Sequence, residues 1–121
     1  MTIEIYGIGH APTEALREYV SRRVESAVGR FSRRVRRVTV RVLDENGPRG
    51  GVDMVCRIEA VLGSVGPVVV ERRDADGHAA IDAATTRLKQ VVADRLAQAR
   101  DVRRRGAKQP GFGFGRRLAF G

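Results

Sequence analysis

The chain has 121 residues, 42% of them apolar and 31% charged, with a formal net charge of +9. That length closes one hydrophobic core with at most a tail left over, and the composition is that of a globular body, not a disordered chain. Charge is unevenly spread: residues 1–99 hold 16 basic and 13 acidic side chains, residues 100–121 hold seven and one. Such a surplus favours a polyanionic partner, nucleic acid ahead of an anionic membrane.

Cys56 is the only cysteine, so no internal disulfide can form and an oxidising compartment gains no support. The first residues lack the apolar segment of a secretion signal, and no run approaches the roughly 20 apolar residues of a membrane span. A cytoplasmic protein with no membrane partner is expected.

Residues 2–6 alternate Ile3 and Ile5 with Glu4, a short strand that Gly7 and Gly9 are expected to break. Pro12 and Thr13 then mark a helix start, with Thr13 as N-cap and Glu14 and Glu18 early, where the helix dipole favours anions. Leu16, Val20, Val24, Ala27 and Phe31 recur at spacings of three and four and form one apolar stripe. The helix should end between residues 31 and 34.

Val38, Val40 and Val42 alternate with Arg37, Thr39 and Arg41, the pattern of a half-buried strand. Residues 44–51 are dense in turn formers and read as a mobile loop. Alternation resumes over residues 52–62, the longest strand, in which Cys56 falls on the apolar side as a small core residue. Residues 63–67 turn the chain back into a fourth strand over residues 68–73. Asp74 and Asp76 supply caps for a second helix from about residue 78, with Ile81, Ala84, Leu88, Val91, Val92, Leu96 and Ala99 on one face. Gly106 is expected to stop it near residue 104.

The order is β-α-β-β-β-α. An α+β fold follows: a four-stranded, mostly antiparallel sheet with both helices packed on one face, resembling a double-stranded RNA-binding domain. The other face stays open, where Arg41 and Arg57 are expected. Residues 1–105 form the domain, and residues 106–121 a basic tail rich in glycine and phenylalanine, expected to be disordered.

Nothing in the sequence marks an enzyme, a cofactor or a small-molecule substrate. His10 and His78 are the only histidines, and neither has a second ligand at metal spacing. Asp74 and Asp76 stand just before a helix, where capping is their role, not acid–base work. The Gly-Phe-Gly-Phe-Gly stretch of the tail has no lysine and no following helix, so it is no phosphate loop.

What remains is basic. Arginine outnumbers lysine 21 to 2, and residues 30–43 contain six arginines and no carboxylate. The candidate RNA-binding residues are Arg22, Arg23, Arg30, Arg33, Arg34, Arg36, Arg37, Arg41, Arg87, Lys89, Arg95 and Arg100. Arg22, Arg23 and Arg30 are expected on one flank of the first helix. Guanidinium groups suit bidentate phosphate contacts and stacking on unpaired bases. Tyr6, Tyr19 and Phe31 read as structural, so recognition would rest on shape and phosphate. A general duplex binder is disfavoured, because the last helix opens on Asp76 and Asp82 where such modules present cations.

Two segments carry a further likeness. Thr13-Glu14-Ala15-Leu16-Arg17-Glu18-Tyr19-Val20, and Ala79-Ala80-Ile81-Asp82 followed by Arg87-Leu88, resemble the ribosome hibernation promoting factor and ribosome-associated inhibitor family, also called sigma-54 modulation proteins. The likeness spans about residues 1–105. It implies a stress-related factor that binds the small ribosomal subunit and its ribosomal RNA. There it would occupy the region of messenger and transfer RNA and inhibit translation without catalysis. By the same resemblance Arg23 and Arg87 are the leading RNA contacts. His78 stands where the family commonly has tyrosine, and Asp94 and Leu96 where lysines are frequent. The long members add a dimerisation domain for which residues 106–121 are too short, so a short-type, monomeric factor is expected. The alternatives are a non-specific RNA-binding or chaperone module, or a protein-interaction module acting on a transcription factor.

Overall fold

A computed structural model describes residues 1–8, 12–44 and 54–108. The expected mobile loop, His10 and most of the expected tail lie outside the described residues. Four strands, β1 (Thr2–Ile8), β2 (Arg37–Asp44), β3 (Met54–Val61) and β4 (Pro67–Asp74), form one sheet in the order β1-β2-β3-β4. Helix α1 (Glu14–Val28) joins β1 to β2, and α2 (Gly77–Lys108) follows β4. Because α1 carries the chain back along the sheet, β1 and β2 run parallel, whereas β2–β3 and β3–β4 are antiparallel.

The alternation read from the sequence marks the helix side of the sheet, although Thr39 and Val55 of the opposite face are buried as well. Ile5, Val40, Ile58 and Val70 stand opposite one another across the sheet, with Val38, Ala60 and Val68 in the next row, all buried on the helix side. Val20, Val24 and Ala27 of α1 and Ile81, Ala84, Leu88, Val92 and Leu96 of α2 close over them. Cys56 is fully buried in this core, and burial pushes its thiol up to about 12. Up to about pH 9 that thiol does not affect stability. Above it the unfolded chain releases a proton that the native chain keeps, so stability should fall between about pH 9 and 12. In the native protein at pH 8, a thiol reagent should react with Cys56 far more slowly than in denaturant, which absorbance stopped-flow would read directly.

Thr13 caps α1 as expected, its hydroxyl accepting from the Leu16 amide at 3.1 Å. Thr13→Ala should cost about 1 kcal/mol in a denaturant titration. At the other helix, Asp76 Oδ1 accepts from the His78 amide at 3.2 Å, and Asp74 Oδ1 from the Asp76 amide at 3.0 Å. Both aspartates are thus occupied in capping and turning the chain. The turn after β3 passes through Gly66 at φ 98°, a backbone conformation that disfavours any side chain.

Three boundaries differ from expectation: α1 ends at Val28, before the expected residues 31–34, and only a single 3-10 turn over Gly29–Phe31 continues it. Gly7 does not end β1, because its backbone pairs opposite Val42 and the strand continues to Ile8. Gly106 does not stop α2, which runs to Lys108. A glycine inside a helix costs only about 1 kcal/mol, and arginine and alanine beside it are good helix formers. No helix among the described residues is long and apolar enough to cross a membrane.

Candidate nucleic-acid interface

Both helices lie on one face of the sheet and run the same way. Near their starts, Tyr19 and Arg23 of α1 meet Asp82 of α2, and the Tyr19 ring meets the edge of His78 at 4.7 Å between centroids. Near the end of α1, Arg30 shares a depression with Lys89, Ala93 and Asp94 of α2. A parallel pair of helices brings both N-termini to one end of the domain and both C-termini to the other. Glu14 and Glu18 lie in the first two turns of α1, Asp76 just before α2 and Asp82 in its second turn. Arg30, Arg33, Arg34 and Arg36 follow the end of α1, and Arg95, Arg100, Arg103 and Arg104 occupy the second half of α2. Glu14 in the first turn of α1 and Asp76 at the start of α2 stand where the helix dipole favours anions.

The arginine run is not a loose basic loop. Val35 is buried in its middle. The Arg34 and Val35 amides donate to the Phe31 carbonyl at 2.8 and 2.9 Å, the Arg36 amide donates to the Val61 carbonyl at 2.8 Å, and the Arg36 carbonyl accepts from the Thr2 amide at 3.0 Å. Arg33, Arg34, Arg36 and Arg37 are all exposed around this anchored backbone. Arg30 lies over the Phe31 ring, 4.7 Å from its centroid. Like charges held this close repel one another, and a polyanion relieves that repulsion.

Between the helices runs a groove lined by Arg23, Ser26, Ala27, Thr85, Thr86 and Lys89, continued by Arg30 and Gln90. The hydroxyl of Thr85 is spent on the Ile81 and Asp82 carbonyls, at 2.9 and 3.1 Å. Lys89 and Arg100 are eleven residues apart, about three helical turns, so the cationic side of the groove continues along α2. None of residues 97–104 is buried, and Val102 is 56% exposed. The last turns of α2 therefore extend beyond the core as an arginine-bearing arm.

The twelve candidates do not form one patch. Arg23, Arg30 and Lys89 meet at the groove, with Arg33, Arg34 and Arg36 beyond its end and Arg95 and Arg100 further along α2. Arg22 does not join Arg23 and Arg30 on a common flank. It lies with Glu14, Arg17, Glu18 and Ser21, because one residue turns a helix by about 100°. Arg87 is exposed on the outer side of α2, near Arg72, and donates to Gln90 at 2.9 Å. Arg95 reaches the Val65 carbonyl at 3.5 Å.

Arg37 and Arg41 face the other way, on the open side of the sheet. There Tyr6, Arg41, Arg57 and Glu71 form one cross-strand row, with Arg57 Nη1 3.4 Å from Glu71 Oε1. Tyr6 is not a buried structural residue: it is 47% exposed in this row, with the Arg41 guanidinium 5.6 Å from its ring centroid. Alternation places residue 6 with residues 2 and 4, opposite to Ile3 and Ile5, a signal present in the sequence.

Residues 3–100 match the family described as Sigma 54 modulation protein / S30EA ribosomal protein. The chain belongs to this family. Among solved structures, the N-terminal domain of Protein Y from Thermus thermophilus is similar at 30% identity and a TM-score of 0.63, over 76% of this chain and 96% of that one. A ribosomal subunit interface protein from Coxiella burnetii shares the fold, with a TM-score of 0.66 at 14% identity, over 80% of this chain and 99% of that one. A comparison with curated proteins gave no match. The two segments that carry the resemblance to hibernation factors are spatial neighbours in this member: Tyr19, from the first, donates its hydroxyl hydrogen bond to Asp82, the last residue of Ala79-Ala80-Ile81-Asp82. Ala80 and Ile81 are fully buried beneath them.

Proposed function

We propose that this member of the hibernation-factor family binds the small ribosomal subunit through its ribosomal RNA, in the region of messenger and transfer RNA, and inhibits translation there by occupancy under stress. The observation that supports this reading is the groove between parallel helices, flanked by Arg23, Arg30 and Lys89 and leading to the anchored arginine run. Rigidly presented guanidinium groups on a wide, shallow surface suit the phosphate backbone of folded RNA. Nothing chemical is asked of the site: the protein acts in the cytoplasm as a non-enzymatic monomer, by excluding other ligands.

Co-sedimentation with purified small and large subunits over a salt series, with excess unrelated RNA as competitor, tests it. Retention on the small subunit near physiological salt despite the competitor is the expected result. The logarithm of affinity should fall linearly with the logarithm of salt, since each phosphate neutralised releases condensed counterions. Loss to the competitor at low salt would replace this reading with a non-specific RNA binder. Retention of a protein partner after nuclease and high salt, without ribosomes, would replace it with a protein-interaction module.

A further inference from the structure

One feature of the groove works against simple attraction of RNA. Arg23, a cation at its centre, is paired with a carboxylate: its Nε lies 3.0 Å from Asp82 Oδ1. The same oxygen accepts the Tyr19 hydroxyl, and that hydrogen bond raises the Tyr19 phenol above its ordinary value of 10.0. The Arg23 Nε atom is buried and makes no aligned hydrogen bond, so the contact is an ion pair sharing its acceptor with a phenol. The Arg23 and Asp82 side chains remain 37% and 46% exposed. The contact runs through Nε, and the same side chain lines the groove between the helices. Tyr19 is itself fixed by the core beneath it and by the His78 ring beside it.

We infer that Asp82, held by Tyr19, is a positioning residue that fixes the Arg23 guanidinium in the groove with its two terminal nitrogens directed to an RNA phosphate. This rests on the function proposed above and adds to it a cause for the Tyr19–Asp82 contact. An arginine side chain loses appreciable rotamer freedom when it is ordered. Ordering it during folding removes that cost from the binding step. The carboxylate cancels one unit of charge and supplies a defined geometry in its place. Specific docking gains, and general attraction to RNA does not.

These two effects have opposite signs in Asp82→Asn, which raises the net charge by one. Affinities for purified small subunits and for an unstructured RNA oligonucleotide should be measured side by side, for wild type, Asp82→Asn, Tyr19→Phe, Arg23→Gln and Arg23→Gln with Asp82→Asn. Asp82→Asn should bind subunits about tenfold more weakly while binding the oligonucleotide as well as wild type or better. Tyr19→Phe, which leaves charge unchanged, should weaken subunit binding about threefold and leave the oligonucleotide unaffected. In the Arg23→Gln background, Asp82→Asn should cause no further loss, because the residue acts through Arg23. A loss that persists in that background would mean that Asp82 serves only the fold, and the inference would be overturned. Tighter subunit binding by Asp82→Asn, or wild-type binding by Tyr19→Phe, would overturn it equally. Should Asp82→Asn fail to fold, Tyr19→Phe alone decides. Failure of the wild type to prefer subunits over the oligonucleotide would overturn the proposed function, and this inference with it.

Discussion

Arg30→Glu combined with Lys89→Glu should weaken binding to small subunits by on the order of a hundredfold and lower the salt-dependence slope by about 2. These two residues line one depression of the groove, Arg30 from the turn after α1 and Lys89 from α2. The matched control is Arg17→Glu with Arg22→Glu, an identical charge change on the flank of α1 that carries Glu14 and Glu18. Arg22 belongs to the arginines that the sequence nominates, but the helix turns it out of the groove, and its pair should weaken binding severalfold at most. Filter binding or sedimentation at three salt concentrations reads both quantities. Equal losses from the two pairs would mean that diffuse charge, not a docked groove, holds the RNA.

The second large effect concerns the scaffold. Leu88 is fully buried where α2 lies on β3 and β4, and Leu88→Ala should destabilise the fold by about 2–5 kcal/mol, through lost burial and the cavity left behind. Total stabilities are about 5–15 kcal/mol, so a fall of 10 °C or more in the melting temperature is expected from calorimetry. Val102 lies on the same helix, 56% exposed. Val102→Ala should change stability by no more than about 0.5 kcal/mol. The contrast separates the half of α2 that builds the core from the half that extends past it. A comparable loss at Val102 would show that something covers the arm in solution.

Most elements of the fold were legible because their burial follows a local period. Leu16, Val20, Val24 and Ala27 declared the inner face of α1, and Val38, Val40 and Val42 that of β2, whatever their later neighbours. The ends misplaced at Gly7 and Gly106 share a cause: glycine propensity is worth about 1 kcal/mol, less than a strand ladder or a run of good helix formers restores. Tyr6 differs for another reason: alternation places it on the open face, and its aromatic type does not distinguish a structural residue from an exposed one.

The amino-acid sequence by itself determined the order of elements, the two apolar helix faces, the caps at Thr13 and Asp76, the buried thiol, the surplus of arginine and the family to which the chain belongs. All of these depend on residues near one another in the chain or on composition. The tertiary structure alone decided that the helices run parallel, so that the end of α1 lies beside the middle of α2, and that Arg23, Arg30 and Lys89 share a groove while Arg22, Arg37 and Arg41 face elsewhere. It alone brought Tyr19 and Asp82, 63 residues apart, onto one hydrogen bond. Such meetings depend on how helices pack across a shared sheet, and no local periodicity records which side chains of one helix will face those of another.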